Sequence, residues 1–112
     1  MKLNEPHVFA ALDAVRGKWK PLIIQRLTGG PRRFGELRRE VVGVTKKVLT
    51  QQLRELERDT LVSRTSRTQP LRVDYRLTAR GEWYGLLFEQ MNHWLEQQSR
   101  VPEKSAPTEE CA

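Results

Sequence analysis

One stretch of this sequence places hydrogen-bonding and cationic side chains at helical spacing: VTKKVLTQQLRELERD, residues 44–59. At about 100° per residue, Leu49, Leu53 and Leu56 would form one apolar stripe along a helix. A row of cationic and amide side chains would lie on the opposite side: Lys47, Gln51, Arg54 and Arg58. Such a row can bind an anion or hydrogen-bond to a polar edge, which is binding chemistry rather than covalent chemistry. The alternative is an amphipathic surface helix whose polar face is only solvated.

The same residue types are those that read bases in the DNA major groove. Glutamine pairs with adenine, arginine or lysine pairs with guanine, and threonine contacts phosphate or the thymine methyl group. We therefore predict that one set of side chains contacts double-stranded DNA: Thr45, Lys46, Lys47, Thr50, Gln51, Arg54 and Arg58.

Catalytic and metal-binding patterns are weak by comparison. The single cysteine, Cys111, is far in sequence from the two histidines, His7 and His93. The chain also has no glycine-rich phosphate loop and no nucleophile–base–acid arrangement. We expect a protein that is not an enzyme and needs neither a metal nor a cofactor.

Charge is distributed unevenly along the 112 residues, whose net charge is +6. Residues 1–80 contain 18 Lys or Arg and 8 Asp or Glu, whereas residues 81–112 contain 2 and 6. A basic body favours nucleic acid, because neutralising phosphates releases counterions; a solvated basic surface is the alternative. No apolar run reaches the roughly 20 residues of a membrane span, and we see no secretory signal. We expect a cytoplasmic, nucleoid-associated protein without a membrane partner.

The pattern of apolar residues predicts four helices before residue 60. The first covers HVFAALDAV and ends at Gly17, and the second covers KWKPLIIQRLT. Arg32-Arg33 is a candidate short extended piece. The third helix runs from about Phe34 to Val41, and Thr45 is a suitable N-cap for the fourth. Two short helices joined by a tight turn containing Gly43 are typical of a helix-turn-helix.

Two alternating segments, LVSRTSR and RVDYRLT, predict an antiparallel hairpin. Thr78 would then cap a last helix over about residues 79–98, and residues 99–112 are predicted to be a disordered tail. The fold class is α+β, mainly helical: a winged helix-turn-helix over residues 1–98 with terminal dimerisation helices. Three arginines near the wing and its flank are further candidate DNA contacts: Arg33, Arg67 and Arg72.

The last helix carries more apolar surface than the predicted hairpin and short helices can cover, and a second copy of the chain is the simplest cover. Burial of these residues in the monomer core is the alternative. The predicted interface of a homodimer comprises Val8, Phe9 and Leu12 of the first helix with Trp83, Leu87, Met91 and Trp94 of the last. We expect Tyr84, Phe88 and Leu95 to broaden the stripe.

The chain resembles the HxlR-type family of bacterial winged-helix transcription regulators. The matching segments are ALDAVRGKWKPLII, RRFGELRREVVGVTKKVLTQQLRELERDTLVSR and RVDYRLTARG, followed by a last helix that ends in HWLEQ. They cover about residues 6–97. The resemblance implies a homodimer that binds a palindromic operator, usually as a repressor and sometimes as an activator. It identifies neither a small-molecule effector nor an operator sequence.

Three departures from the family pattern stand out. The N-terminal cysteine that many members use to sense electrophiles or oxidants is absent, so thiol sensing by that route is not expected. Asp59-Thr60 replaces the usual Asp-Gly after the fourth helix, which suggests a different helix end, and the wing is about one residue shorter. The competing functions are a non-specific architectural DNA binder and a winged helix that contacts proteins.

Overall fold

The computed structural model describes residues 5–68 and 71–99. Five helices and two strands follow one another as α1 Glu5–Asp13, α2 Trp19–Thr28, α3 Phe34–Glu40, α4 Lys46–Arg58, β1 Val62–Thr68, β2 Leu71–Leu77 and α5 Ala79–Ser99. This order confirms the predicted α+β winged helix-turn-helix. Helix α1 stops before the predicted Val15, and α5 reaches one residue past the predicted boundary. Residues 100–112 of the predicted tail, including Cys111, lie outside the described residues.

The turn between α3 and α4 has the geometry that its sequence predicts. Gly43 adopts φ +90°, which costs a glycine little. The Thr45 hydroxyl accepts a hydrogen bond from the backbone N–H of Val48 at 3.1 Å, so it caps the start of α4. Helices α3 and α4 therefore form the predicted helix-turn-helix.

The core lies where α2, α3 and α4 meet the base of the wing. It contains Val15, Ile23, Ile24, Leu27, Leu37, Val41, Val44, Leu49, Leu53, Leu56, Leu61 and Val62. The three leucines of α4 are at most 1% exposed, which fixes the rotation of that helix about its axis. The polar side of α4 must then face away from the core.

The wing is an antiparallel hairpin whose register runs from Val62 opposite Leu77 to Thr68 opposite Leu71. A third segment joins it through Arg32, which exchanges two backbone hydrogen bonds with Tyr75 at 2.8 and 3.0 Å. The short extended piece predicted at Arg32-Arg33 is therefore confirmed at Arg32. This bridge ties the start of α3 to β2 and limits movement of the wing relative to the helix-turn-helix.

Two glycines allow α5 to lie unusually close to the rest of the domain. A Cβ atom on Gly81 would overlap the Leu61 carbonyl oxygen, and one on Gly85 would lie 2.9 Å from the Thr28 hydroxyl. The Thr78 hydroxyl caps α5 by accepting from the backbone N–H of Gly81 at 3.0 Å. The face of α5 that carries these glycines thus packs on α2, β2 and Leu61, the residue before β1, and the opposite face points outward.

The C-terminal end of α4 keeps a left-handed residue although the family's glycine is missing. Thr60 has φ +63°. Its N–H donates to the Glu57 carbonyl at 3.0 Å, and the Leu61 N–H donates to the Leu56 carbonyl at 2.9 Å, which together make a Schellman motif. The expectation of a different helix end was therefore wrong. Burial of Leu56 and Leu61 against the core holds Thr60 in a conformation that a β-branched residue disfavours.

A partly buried ion pair joins α2 to α4. Lys20 Nζ lies 2.7 Å from Glu55 Oε1, and the two side chains are 10% and 25% exposed. The hydrogen bond from Lys20 is the main cause that lowers the pKa of the Glu55 carboxyl. An ion pair at this depth is costly to break on one side only, because the other charge stays desolvated.

Replacing Thr60 with glycine should increase the free energy of unfolding by about 1 kcal/mol, since glycine accepts positive φ without steric strain. Urea denaturation monitored by circular dichroism would measure the change. Thr65→Gly, in the exposed middle of β1, is the matched control and should destabilise by about 0.5–1 kcal/mol. Equal destabilisation by both variants would contradict strain at Thr60.

Replacing Glu55 with glutamine should destabilise the protein at pH 7 by about 2 kcal/mol, because Lys20 loses its charged partner. The folded-state pKa of Glu55 lies below its unfolded value, so the contribution of the pair is fully present above the unfolded value of about 4.3. It is lost as the pH falls through the folded-state pKa. Urea denaturation should therefore show that the difference between wild type and variant shrinks as the pH is lowered from 7 toward 3.

Glu57→Gln is the control for that experiment, because Glu57 forms no salt bridge within residues 5–68 and 71–99. Its effect on the free energy of unfolding should be small at both pH values. A Glu55→Gln effect that is unchanged at pH 3 would show that the carboxylate charge is not what stabilises this contact.

Candidate nucleic-acid interface

The polar side of α4 forms a continuous outward surface. Five of the predicted DNA-contact residues line one shallow depression: Lys46, Lys47, Thr50, Gln51 and Arg54. All but the half-buried Thr50 are exposed. Thr45 is exposed directly before them, where its hydroxyl caps the helix. Six of the seven side chains predicted on this helix therefore lie at its N-terminal two-thirds, the part of a recognition helix that meets base edges.

The amide of Gln51 is oriented by the ion pair beneath it. Gln51 Nε2 lies 3.3 Å from Glu55 Oε2, while the other carboxylate oxygen of Glu55 binds Lys20. Lys20 thereby stabilises the negative charge on which the Gln51 contact depends. The amide oxygen of Gln51 and one of its N–H groups remain available for the donor–acceptor pair that adenine presents in the major groove.

Arg58 lies at the C-terminal end of the predicted row, one helical turn beyond Arg54. It lines a cleft between α1, the end of α4 and the start of α5, with Asp13, Asp59 and Arg80 among its neighbours. Lys47 and Arg58 are eleven residues apart, which is about 16 Å along a helix. Periodicity placed both on one side of α4, but it does not say where along that side the DNA would lie.

The other predicted arginines are exposed at two places, one before α3 and one on the wing. Arg33 precedes α3, where its backbone N–H donates to Glu36 Oε1 at 2.8 Å, and the residue is exposed. Arg67 and Arg72 are directly opposite each other on the wing. Arg72 is partly neutralised by Asp74 at 3.2 Å. Two arginines facing each other repel, and an anion between them would relieve that repulsion.

A notch between α4 and the wing contains two residues that the sequence analysis did not assign to DNA. Arg64 and Tyr75 line it together with Lys46 and Arg54. Burial is the main cause that raises the pKa of the Tyr75 hydroxyl, so it remains a hydrogen-bond donor at neutral pH. The hairpin register could have identified this pair, because a connection at residues 69–70 places Arg64 opposite Tyr75.

The seven residues predicted at the dimer interface are all exposed in the single chain. Phe9, Trp83 and Trp94 are 75%, 73% and 60% exposed, and the others are Val8, Leu12, Leu87 and Met91. Leu86 and Leu95 extend this apolar face. Tyr84 and Phe88, which we expected to broaden the stripe, instead pack against the core. Tyr84 also donates a hydrogen bond to the Ala11 carbonyl at 2.6 Å, which holds α1 against α5.

Other kinds of site find little support in the described part of the chain. No group of three or more His, Cys, Asp or Glu side chains in residues 5–68 and 71–99 is placed to hold a metal ion. Among the same residues, no helix combines the length and the apolar character of a membrane span. An open cavity of about 390 Å³ lies between α2, the end of β2 and α5.

Comparison with known proteins agrees with this geometry. The model of the HxlR-like helix-turn-helix family matches residues 14–103. The HTH-type transcriptional regulator YtcD of Bacillus subtilis is 40% identical over 88 residues, which span 78% of this chain and 70% of the relative.

Two solved structures share the fold. One is a transcriptional regulator of the MarR family from Enterococcus faecalis V583, with a TM-score of 0.79, 37% identity, and coverage of 88% of this chain and 91% of that one. The other is the reduced form of the regulator YodB from B. subtilis, with a TM-score of 0.75, 32% identity, and coverage of 87% and 94%. This chain therefore belongs to the HxlR-like helix-turn-helix family of DNA-binding transcription regulators.

Proposed function

We propose that this regulator is a sequence-specific double-stranded DNA-binding protein that acts as a homodimer on a palindromic operator, where its occupancy represses transcription. The observation that carries the proposal is the outward surface of α4, where Lys46, Lys47, Gln51 and Arg54 stand exposed beside an arginine-bearing wing. The work of such a protein is on the chromosome, so we place it in the cytoplasm with the nucleoid.

Base reading would be divided among the residues of the α4 surface. Gln51 has the donor and acceptor for adenine, while Lys47 and Arg54 suit guanine. Thr45 precedes the N-terminus of α4, where backbone N–H groups favour a phosphate. Arg33, Arg67 and Arg72 would add phosphate or minor-groove contacts, which position the protein without specifying most bases.

The homodimer is supported by the exposed apolar face of α5 and its neighbour α1. Trp83, Leu87, Met91 and Trp94 lie on the side of α5 opposite Gly81 and Gly85, which face the domain. A contiguous face of this kind is rare on a monomer. A two-fold axis through it would present two copies of α4 to successive major grooves, about 34–36 Å apart.

Replacing Gln51 or Arg54 with alanine should abolish most of the preference for the operator over a scrambled duplex. Loss of one base contact should cost about 1–3 kcal/mol in discrimination. Titration of labelled promoter DNA from upstream of the gene, beside the scrambled duplex, would measure both affinities.

Arg58→Ala is the matched control for Arg54→Ala, since it removes the same side chain from the same helix at the cleft beside α1. It should leave the discrimination unchanged. Equal affinity of the wild type for both duplexes, repeated with a site selected from random DNA, would indicate an architectural binder. Absence of binding at low salt would instead favour a winged helix that contacts proteins.

Replacing Met91 with glutamate should convert the dimer to a monomer, because it would bury an unpaired carboxylate in an apolar interface. Sedimentation velocity would measure the oligomeric state, and operator affinity should fall together with dimer content. Glu96→Lys alters the charge of α5 by two units on the other side of the helix and is the control. A Met91→Glu protein that remains dimeric would place the interface elsewhere.

A further inference from the structure

The notch between α4 and the wing has a volume of about 280 Å³ and is lined by charged and polar groups from three elements. Lys46, Thr50, Arg54 and Glu57 border it from α4, Arg64 and Tyr75 from the hairpin, and Phe34 and Leu53 form its apolar base. Three cations and one carboxylate therefore surround one small space. Its net positive charge makes it a site for an anion.

The hairpin register explains why Arg64 and Tyr75 reach the same space. They are directly opposite each other on β1 and β2, and opposed residues project from the same face of a sheet. The bridge from Tyr75 to Arg32 fixes that rung of the sheet at a third point. The two side chains are therefore positioned by backbone hydrogen bonds rather than by a loop.

The three cations of the notch form no salt bridge within the described residues, and its one hydroxyl on α4 is already engaged, since Thr50 donates to the Lys46 carbonyl at 2.8 Å. Lys20, Arg32 and Arg72 elsewhere in the domain each form a salt bridge, whereas no salt bridge engages the side chains of Lys46, Arg54 or Arg64. The side chain of Tyr75 is half-buried, and within residues 5–68 and 71–99 its hydroxyl forms no hydrogen bond and is open to solvent. Because Lys46, Arg54 and Arg64 are not engaged in salt bridges, they can bind an external anion without first breaking an ion pair.

The position of the notch identifies which anion would reach it. When a recognition helix occupies the major groove and a wing approaches the neighbouring minor groove, the DNA strand between the two grooves must pass between those two elements. The notch lies between α4 and the wing. A backbone phosphate is therefore the group that the docked duplex would bring there.

We propose that this notch is a seat for one backbone phosphate of each half-site, held by Arg64 and the Tyr75 hydroxyl with help from Lys46. The proposal rests on the proposed DNA-binding function and adds two residues to it. Glu57 borders the same space and opposes the phosphate, so it limits the affinity of the seat. The contact positions the duplex and carries no base preference.

Arg64→Ala should weaken binding to the operator and to the scrambled duplex alike, by about tenfold each. The slope of log affinity against log salt concentration should become shallower by about 0.9 for each protomer, which is close to two units for a dimer. Tyr75→Phe should weaken binding several-fold without altering the slope, because the hydroxyl is neutral. Glu57→Gln should strengthen binding.

Arg76→Ala is the matched control. Arg76 is an exposed arginine next to Tyr75 on β2, but it projects from the other face of the sheet and lines the cavity beside α5. A second measurement replaces single operator phosphates with neutral methylphosphonates. For the wild type and for Arg76→Ala, a methylphosphonate at one position in each half-site should lower the affinity. For Arg64→Ala, the same methylphosphonate should cause no further loss of affinity. Methylphosphonates at other positions should affect Arg64→Ala as they affect the wild type.

The possible failures are distinguishable. If the wild type prefers its operator but Arg64→Ala and Arg76→Ala have the same slope and the same methylphosphonate profile, the phosphate seat is wrong and the DNA-binding function stands. If the wild type binds no DNA at low salt, both proposals fall. Arg64→Gln, which keeps a polar side chain at the same rung, repeats the test if circular dichroism shows that the alanine variant is not folded.

Discussion

Burial of the leucine stripe of α4 is the constraint on which the rest of the interface depends. Leu49, Leu53 and Leu56 are almost completely buried, and they leave α4 one rotation about its axis. That rotation presents Gln51 and Arg54 to solvent. Since packed interiors tolerate little adjustment, the apolar contact on one side of the helix is what positions the hydrogen-bonding groups on the other.

The same domain uses a second constraint to keep an apolar face exposed. Gly81 and Gly85 bring one side of α5 so close to Leu61, β2 and α2 that a Cβ atom at either position would crowd its neighbours. The tryptophans of α5 must then point away from the core. Close packing on one side of the helix thus leaves its apolar residues on the other side, and that exposed surface supports the proposed homodimer.

The C-terminal half of α4 and the turn after it are packed well enough to hold both a strained residue and a partly buried ion pair. Thr60 keeps a left-handed conformation because Leu56 and Leu61 are fully buried on either side of it. Threonine in place of the family's glycine therefore raises the conformational free energy of the turn but leaves its shape unchanged. The Lys20–Glu55 ion pair also has an unfavourable contribution, which is the desolvation of its two charges. The pair holds α2 against α4 and orients Gln51.

The sequence by itself determined the order of the elements, the cap at Thr45, the turn at Gly43 and the polar row of α4, because each depends on neighbours within a few positions along the chain. It also marked the apolar stripe of α5, although it included Tyr84 and Phe88, which the core takes up. Only the tertiary structure decided that Arg58 borders a cleft beside α1, that Lys20 supports Gln51 through Glu55, and that Arg64 and Tyr75 border α4. Those relations join residues from different elements, so they depend on how the helices and the hairpin pack, which helical or strand periodicity does not specify.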